Sequence, residues 1–161
     1  MAIKTASGTR MWIGPAIDPD NATLASLKAI SSAAWVEIKK VESFGDYGDE
    51  NSSVSFSEVG RGRVEKAKGQ ADAGTMAVTV GVVQGDAGQA AMVDAQASKS
   101  NFAFRIETPD APIDGEPNTI EYFGGLVMSK RKSVGTTDNV LKRTFNIGIN
   151  SEIFDELGNI A

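Results

Sequence analysis

A single β-rich domain spanning residues 1–161 is what the sequence predicts, on three observations. The chain has 161 residues, of which 41% are hydrophobic, enough to bury one real core. Seventeen glycines and frequent Ser, Thr and Asn, with few long apolar runs, favour short strands and turns over a helical bundle. Several segments alternate apolar and polar residues with the period of two that a half-buried strand needs.

The first such segment is TRMWIG at 9–14, stopped by Gly14-Pro15; a loop follows, and ATLASLKAISSAA holds no more than a helical turn. From Trp35, WVEIKKVESF reads as one strand with Val36 and Ile38 on one face and Glu37 and Lys39 on the other. SSVSFSEV alternates too, placing Val54 and Phe56 inward and Ser53, Ser55 and Ser57 outward. The two runs make a long hairpin with an extended acidic loop at about 44–52. GRVEKAKGQ follows as a charged edge strand, its cations discouraging stray pairing. TMAVTVGVV is the clearest strand, with Met76, Val78, Val80 and Val82 opposed to Thr75, Ala77, Thr79 and Gly81. One helix is expected over about 86–98, with Asp86 as N-cap and Gln89 three residues later, as in a capping box. NFAFRIETP restores alternation through Phe102, Phe104 and Ile106. Two last strands, NTIEYFGGLVMSK and NVLKRTFNIGINSEIF, are joined by the turn RKSVGTTD. In the second, Leu141, Phe145, Ile147 and Ile149 share a face, and Lys142, Thr144, Asn146, Gly148 and Asn150 the other.

Composition narrows the function. There is no cysteine, so disulfides, thiolate nucleophiles and thiolate metal sites are excluded. There is no histidine either, which removes the commonest general base at neutral pH, every Ser-His-Asp arrangement and the commonest zinc ligand. A net charge of −5 argues against a dedicated nucleic-acid binder, which needs a basic surface for counterion release. The N-terminal residues lack a signal-peptide pattern and no apolar run approaches the ~20 residues of a membrane helix, so the expectation is a protein made in the cytoplasm.

Three features offer sites, each beside a plainer reading. The acidic stretch SFGDYGDENSSVSF holds Asp46, Tyr47, Asp49 and Glu50. It fails the EF-hand spacing, since the sixth position from Asp46 is Asn51 rather than Gly and the twelfth is Ser57 rather than Glu; a looser calcium site and a solvated turn remain. Arg61, Arg63, Lys66 and Lys68, and the KRK run at 130–132, lack the interleaved aromatics that stack bases. They read as solvated edges or as partners for the acidic stretch of another copy. Finally, several strands oppose a bulky apolar face to one of Ser, Thr, Asn, Gly and Ala. That pattern suits an ordinary solvent face or the smooth lining of a channel.

The order of elements resembles the tail tube proteins, the major tail proteins of long-tailed bacteriophages. The resemblance rests on WVEIKKVESF…SSVSFSEV with its loop, on GTMAVTVGVV leading into DAGQAAMVDA, and on the closing FGGLVMSKRKSVGTTDNVLKRTFNIGINSEIF. It implies a mainly β, sandwich or barrel-like tail tube fold with one flanking helix. It also implies hexameric rings stacked into a hollow tube that conducts DNA during ejection, in the virion, with no enzymatic activity and no cofactor. Implied partners are other copies, a tape-measure protein, a terminator, and baseplate or tip proteins. Under this resemblance Asp46, Tyr47, Asp49 and Glu50 form an inter-subunit arm, and Arg61, Arg63, Lys66 and Lys68 a basic interface. The lumen lining falls on Glu37, Ser53, Ser55, Ser57, Thr75, Thr79, Thr144, Asn146 and Asn150. A contractile-tail or type VI secretion tube is the nearest alternative. A monomeric β-sandwich binding calcium or carbohydrate is the alternative of another class.

Overall fold

The computed structural model describes residues 3–113 and 115–156. Its strands are β1 (Arg10–Ala16), β2 (Val36–Ile38), β3 (Val41–Ser43), β4 (Glu50–Ser57), β5 (Val64–Asp72), β6 (Thr75–Gly81), β7 (Phe102–Thr108), β8 (Thr119–Ser133), β9 (Lys142–Ile149) and β10 (Phe154–Glu156). Helices α1 (Leu24–Lys28) and α2 (Ala87–Ala97) complete the regular elements, with two short 3-10 turns before β2. The class is mainly β, with α2 as the single long helix.

Lys39 and Lys40 decide the architecture. The main sheet runs β2-β1-β7-β8-β9-β6-β3, with β10 beside β8. Thus β2 and β3, consecutive in sequence, lie on opposite edges. In a flat sheet those edges would stand about 29 Å apart at the usual ~4.8 Å strand spacing. The chain from Ile38 to Val41 reaches no more than about 11 Å. The sheet must therefore coil round until its edges meet, which makes a barrel with a seam at Lys39–Lys40. Lys40 takes φ 58° there, the left-handed turn that redirects the chain. The single strand expected from Trp35 to Phe44 is thus two. Its alternation slips phase between Ile38 and Val41, and both residues face the core.

The hairpin expected between this region and SSVSFSEV does not form. β4 pairs with β5 instead, Ser53 opposite Lys68 and Phe56 opposite Glu65, in a ribbon separate from the barrel. Its turn falls at 58–63, and Glu50 to Ser52 belong to a strand rather than to a loop tip. Val54 and Phe56 do share a face, but nothing among the described residues covers it: they are 55% and 65% exposed. Their apolar alternation reflects a face, not a core.

The barrel interior is filled by the faces that alternation predicts. Met76, Val78 and Val80 of β6, Phe104 and Ile106 of β7, and Phe145 and Ile147 of β9 are completely buried. Phe104 stacks on Phe123 of β8 with ring centroids 5.4 Å apart. Met92 and Ala95 of α2 join the same core. Leu141 does not, being 43% exposed, because β9 begins only at Lys142. The last strand also ends at Ile149, and Phe154 to Glu156 return separately to pair with β8. A second cluster of Trp12, Leu27, Trp35, Ala103 and Tyr122 lies on the other face of β1 and β7, beneath the 17–35 segment.

Helix α2 is fixed at the seam. The Asp86 carboxylate accepts the Gln89 amide at 3.1 Å as N-cap, and also the Lys39 amide at 3.3 Å. The Gln89 side chain does not complete a capping box. It donates to the carbonyls of Lys39 (3.2 Å) and Gly81 (2.9 Å) and accepts from the amide of Val83 (3.1 Å). It is the buried polar residue among those described, and its bonds tie the seam after β2 and the end of β6 to the helix. Gly88 lets the helix come this close, since a Cβ there would run into the carbonyl of Glu37 and lie 2.6 Å from the Ile38 Cα.

Candidate assembly surfaces

The outer face of β6, β9 and β8 carries short polar side chains in register. Thr75 lies opposite Gly148, Ala77 opposite Asn146, and Thr79 opposite Thr144. The two threonine hydroxyls are 3.3 Å apart, and the Asn146 amide donates to Ser129 Oγ at 2.9 Å. Such cross-strand pairs hold the face smooth and rotamer-fixed. Lys142 sits at its rim, its ammonium 2.8 Å from the Glu42 carboxylate. Four of the nine expected lining residues, Thr75, Thr79, Thr144 and Asn146, therefore share one continuous surface.

The other five lie elsewhere. Ser53, Ser55 and Ser57 belong to the β4–β5 ribbon. Asn150 follows β9 and donates to Asn101 Oδ1 at 2.7 Å. Glu37 is on β2, held bidentately by Arg10 at 2.9 Å through both oxygens; that hydrogen bond keeps its carboxyl below the usual carboxylate range. Its strand pairs with β1 and meets β3 only across the seam, so Glu37 is not part of the β6–β9–β8 face.

The ribbon has two unlike faces. Ser53, Ser55 and Ser57 stand beside Lys68, Lys66 and Val64, while Val54 and Phe56 stand beside Ala67 and Glu65. Of the expected basic interface, Arg61 is already engaged within the ribbon by Glu65 at 2.5 Å and by Glu58 at 3.8 Å. A two-stranded ribbon with no core is marginal in water by itself, and its exposed apolar face asks for a partner surface.

The acidic segment between β3 and β4 divides in two. Tyr47 folds onto its own chain: its hydroxyl donates to Glu121 Oε1 at 3.0 Å and its ring lies 6.4 Å from that of Phe123. Burial, with the Glu121 charge beside it, pushes the phenol above its ordinary pKa. Burial also raises the Glu121 carboxyl, with Asp155 and Asp110 adding to the effect and the Tyr47 hydrogen bond opposing it. Tyr47 is therefore an internal anchor, while Asp46, Asp49 and Glu50 stay exposed.

Two features escaped sequence reasoning. Arg105 lies between two indoles, its guanidinium carbon 4.1 Å from the Trp12 ring centroid and 5.2 Å from that of Trp35; its place in an alternating strand gave no hint of this. The KRK run, expected to lead into a turn, continues β8, with Lys132 opposite Arg143 and Arg131 opposite Thr144. Its basic side chains thereby gather at one end of the barrel.

The chain matches no protein-family model and no curated protein, but its fold is shared by solved structures. It superposes on a chain of the SPP1 tail tube with TM-score 0.60 at 15% identity, covering 95% of this chain and 78% of that one. Against a chain of the anti-feeding prophage baseplate the TM-score is 0.68 at 11% identity, over 99% and 100%. Against the PVC sheath/tube terminator of an extracellular contractile injection system it is 0.65 at 9% identity, over 97% and 98%. The chain thus has the phage tail tube fold, in which tail and contractile-injection components are built.

Proposed function

We propose that this chain is the structural subunit of a tail tube: copies join into hexameric rings that stack into a hollow conduit for DNA in a phage particle. The observation that carries the reading is the β4–β5 ribbon, which projects from the barrel with Val54 and Phe56 uncovered. A surface of that kind is satisfied by another subunit. The Thr75, Thr79, Thr144 and Asn146 face supports a lining role, since short uncharged side chains make no ion pairs with phosphates and so do not hold passing DNA; its cations, Arg131 opposite Thr144 and Lys142 opposite Gly81, are confined to one end. The role is architectural rather than catalytic, in keeping with the absence of His and Cys. A tape-measure protein, a terminator and a baseplate are its expected partners in the virion, after synthesis in the host cytoplasm. The likeness to contractile-injection components favours one variant of the reading, an inner tube surrounded by a sheath.

Electron microscopy of the purified protein at high concentration tests this, with V54S/F56S as the comparison. Wild type should form rings or tubes, and the variant should stay a folded monomer. A wild type that remains monomeric at all concentrations, or a variant that assembles as well as wild type, overturns the reading.

A further inference from the structure

The charges of the barrel are sorted by end. β6 and β9 set the direction, with Thr75 opposite Gly148 at one end and Gly81 opposite Lys142 at the other. At the Gly81 end, β8 brings Lys130, Arg131 and Lys132 beside the start of β9, where Arg143 lies opposite Lys132. The seam lysines, Lys39 and Lys40, reach the same end, since the Lys40 carbonyl accepts the Gly81 amide at 2.8 Å. Two of the acids there are committed within the chain, Glu42 to Lys142 and Asp86 to the α2 cap; Asp138 lies in the β8–β9 turn.

The Thr75 end is the reverse. Asp46, Asp49, Glu50 and Asp72 line one open groove of about 810 Å³ that also includes Gly74 and Thr75. The ribbon offsets part of this charge: beyond Glu50 and Asp72 it adds Glu58 and Glu65 against Arg61, Arg63, Lys66 and Lys68, and Lys66 and Lys68 border a neighbouring groove with Asp49 and Glu50. The Thr75 end with its ribbon still keeps six acids against four bases.

The basic end also has the form of a contact surface. A groove of about 510 Å³ runs between α2 and the ends of β6 and β9, lined by Val83 and Leu141 and edged by Lys132 and Arg143. Val83 and Leu141 are 41% and 43% exposed. The Arg143 Nε is buried without an acceptor among the described residues, and a buried guanidinium N–H left unpaired is costly unless a partner supplies one.

We propose that copies of the chain associate head to tail through these ends, the acidic groove of one seating on the Lys130–Lys132 and Arg143 surface of the next. This rests on the tube reading and specifies which surfaces meet between stacked subunits. A second copy is the occupant because the two complementary surfaces belong to one molecule and lie at opposite ends. Each contact then leaves a free acidic end and a free basic end, so the association propagates instead of closing. Opposed potentials also fix the polarity, since acid on acid or base on base is repelled.

Reversing each end separately tests the proposal. The variants K130E/R131E/K132E and D46K/D49K/E50K change only exposed side chains, and circular dichroism checks that each remains folded. Each alone should lower the pelleted fraction in a sedimentation assay by roughly tenfold or more, and an equimolar mixture should restore it. Wild-type assembly should also weaken between ~0.1 M and ~1 M salt as the screening length falls from ~10 Å to ~3 Å. Folded single variants that assemble like wild type, or a mixture that stays soluble, overturn the head-to-tail charge pairing while leaving the tube reading intact. So does a basic-end variant that loses only affinity for a DNA duplex. A wild type that never assembles fails the tube reading itself, and this proposal with it.

Discussion

Gly88→Ala places one methyl where helix α2 meets the barrel seam. The backbone at Gly88 is ordinary helix, so the substitution by itself should favour the helix by about 1 kcal/mol. The added Cβ, however, would collide with the Glu37 carbonyl oxygen and stand 2.6 Å from the Glu37 carbonyl carbon and the Ile38 Cα. All three are backbone atoms of β2, which cannot rotate away. Carbon contacts settle near 3.5–4.0 Å, so the helix must retreat by about 1 Å. Gln89 follows it. Its bonds to the Lys39 and Gly81 carbonyls, now 3.2 and 2.9 Å, would stretch beyond useful length and leave buried polar groups unpaired. Overpacking of about 1–3 kcal/mol and about 1–3 kcal/mol for unpaired groups, less the helix gain of about 1 kcal/mol, give a net loss of about 1–5 kcal/mol, centred near 3 kcal/mol. With a urea slope of about 1–3 kcal/mol per M for a small domain, the midpoint should fall by roughly 1–2 M, read by circular dichroism or by the fluorescence of Trp12 and Trp35. Gly60→Ala is the control, because nothing lies within 4 Å of its Cβ and its φ is not positive; it should stay within about 0.5 kcal/mol of wild type. If Gly88→Ala is as stable as wild type or more so, α2 does not seat on β2 as described and the seam argument fails.

Arg105→Met keeps the side chain's length but removes the cation between Trp12 and Trp35; it should cost about 1–2 kcal/mol and shift tryptophan emission, and unchanged stability with unchanged emission would deny the sandwich an energetic role. Glu121→Gln tests the half-buried carboxyl under Tyr47. Because the folded chain holds the Glu121 proton more tightly than the unfolded chain, the stability this group gives is full below the unfolded pKa of about 4.3 and is lost as pH rises through the folded value. Gln has no such loss, so the urea midpoint of Glu121→Gln relative to wild type should climb from pH 4 to about pH 7; a difference flat with pH would mean the carboxyl is not desolvated.

What the sequence revealed of this fold depended on whether the cause of a feature lay within a few residues of it. The two faces of β6 and the Asp86 cap were legible because period-two burial and an N-cap are local events. The barrel seam was missed: WVEIKKVESF reads as one strand, and only the strand order shows that the slip from Ile38 to Val41 is a break joining two sheet edges. Gln89 misled because a capping position three residues after Asp86 and a bridge to β2 and β6 look alike until the distant carbonyls are in place. Tyr47 misled similarly, since Glu121 is 74 positions away. The ribbon is the instructive case. Val54 and Phe56 alternate with serines as in a half-buried strand, and β4 and β5 do pair in register. A strand whose apolar face meets its own core and one whose face meets another subunit carry the same alternation, because the pattern records burial and not whose atoms cause it. The structure separates the two by finding that face uncovered, so a correctly read pattern with a wrongly assigned partner becomes the strongest ground for proposing an assembly.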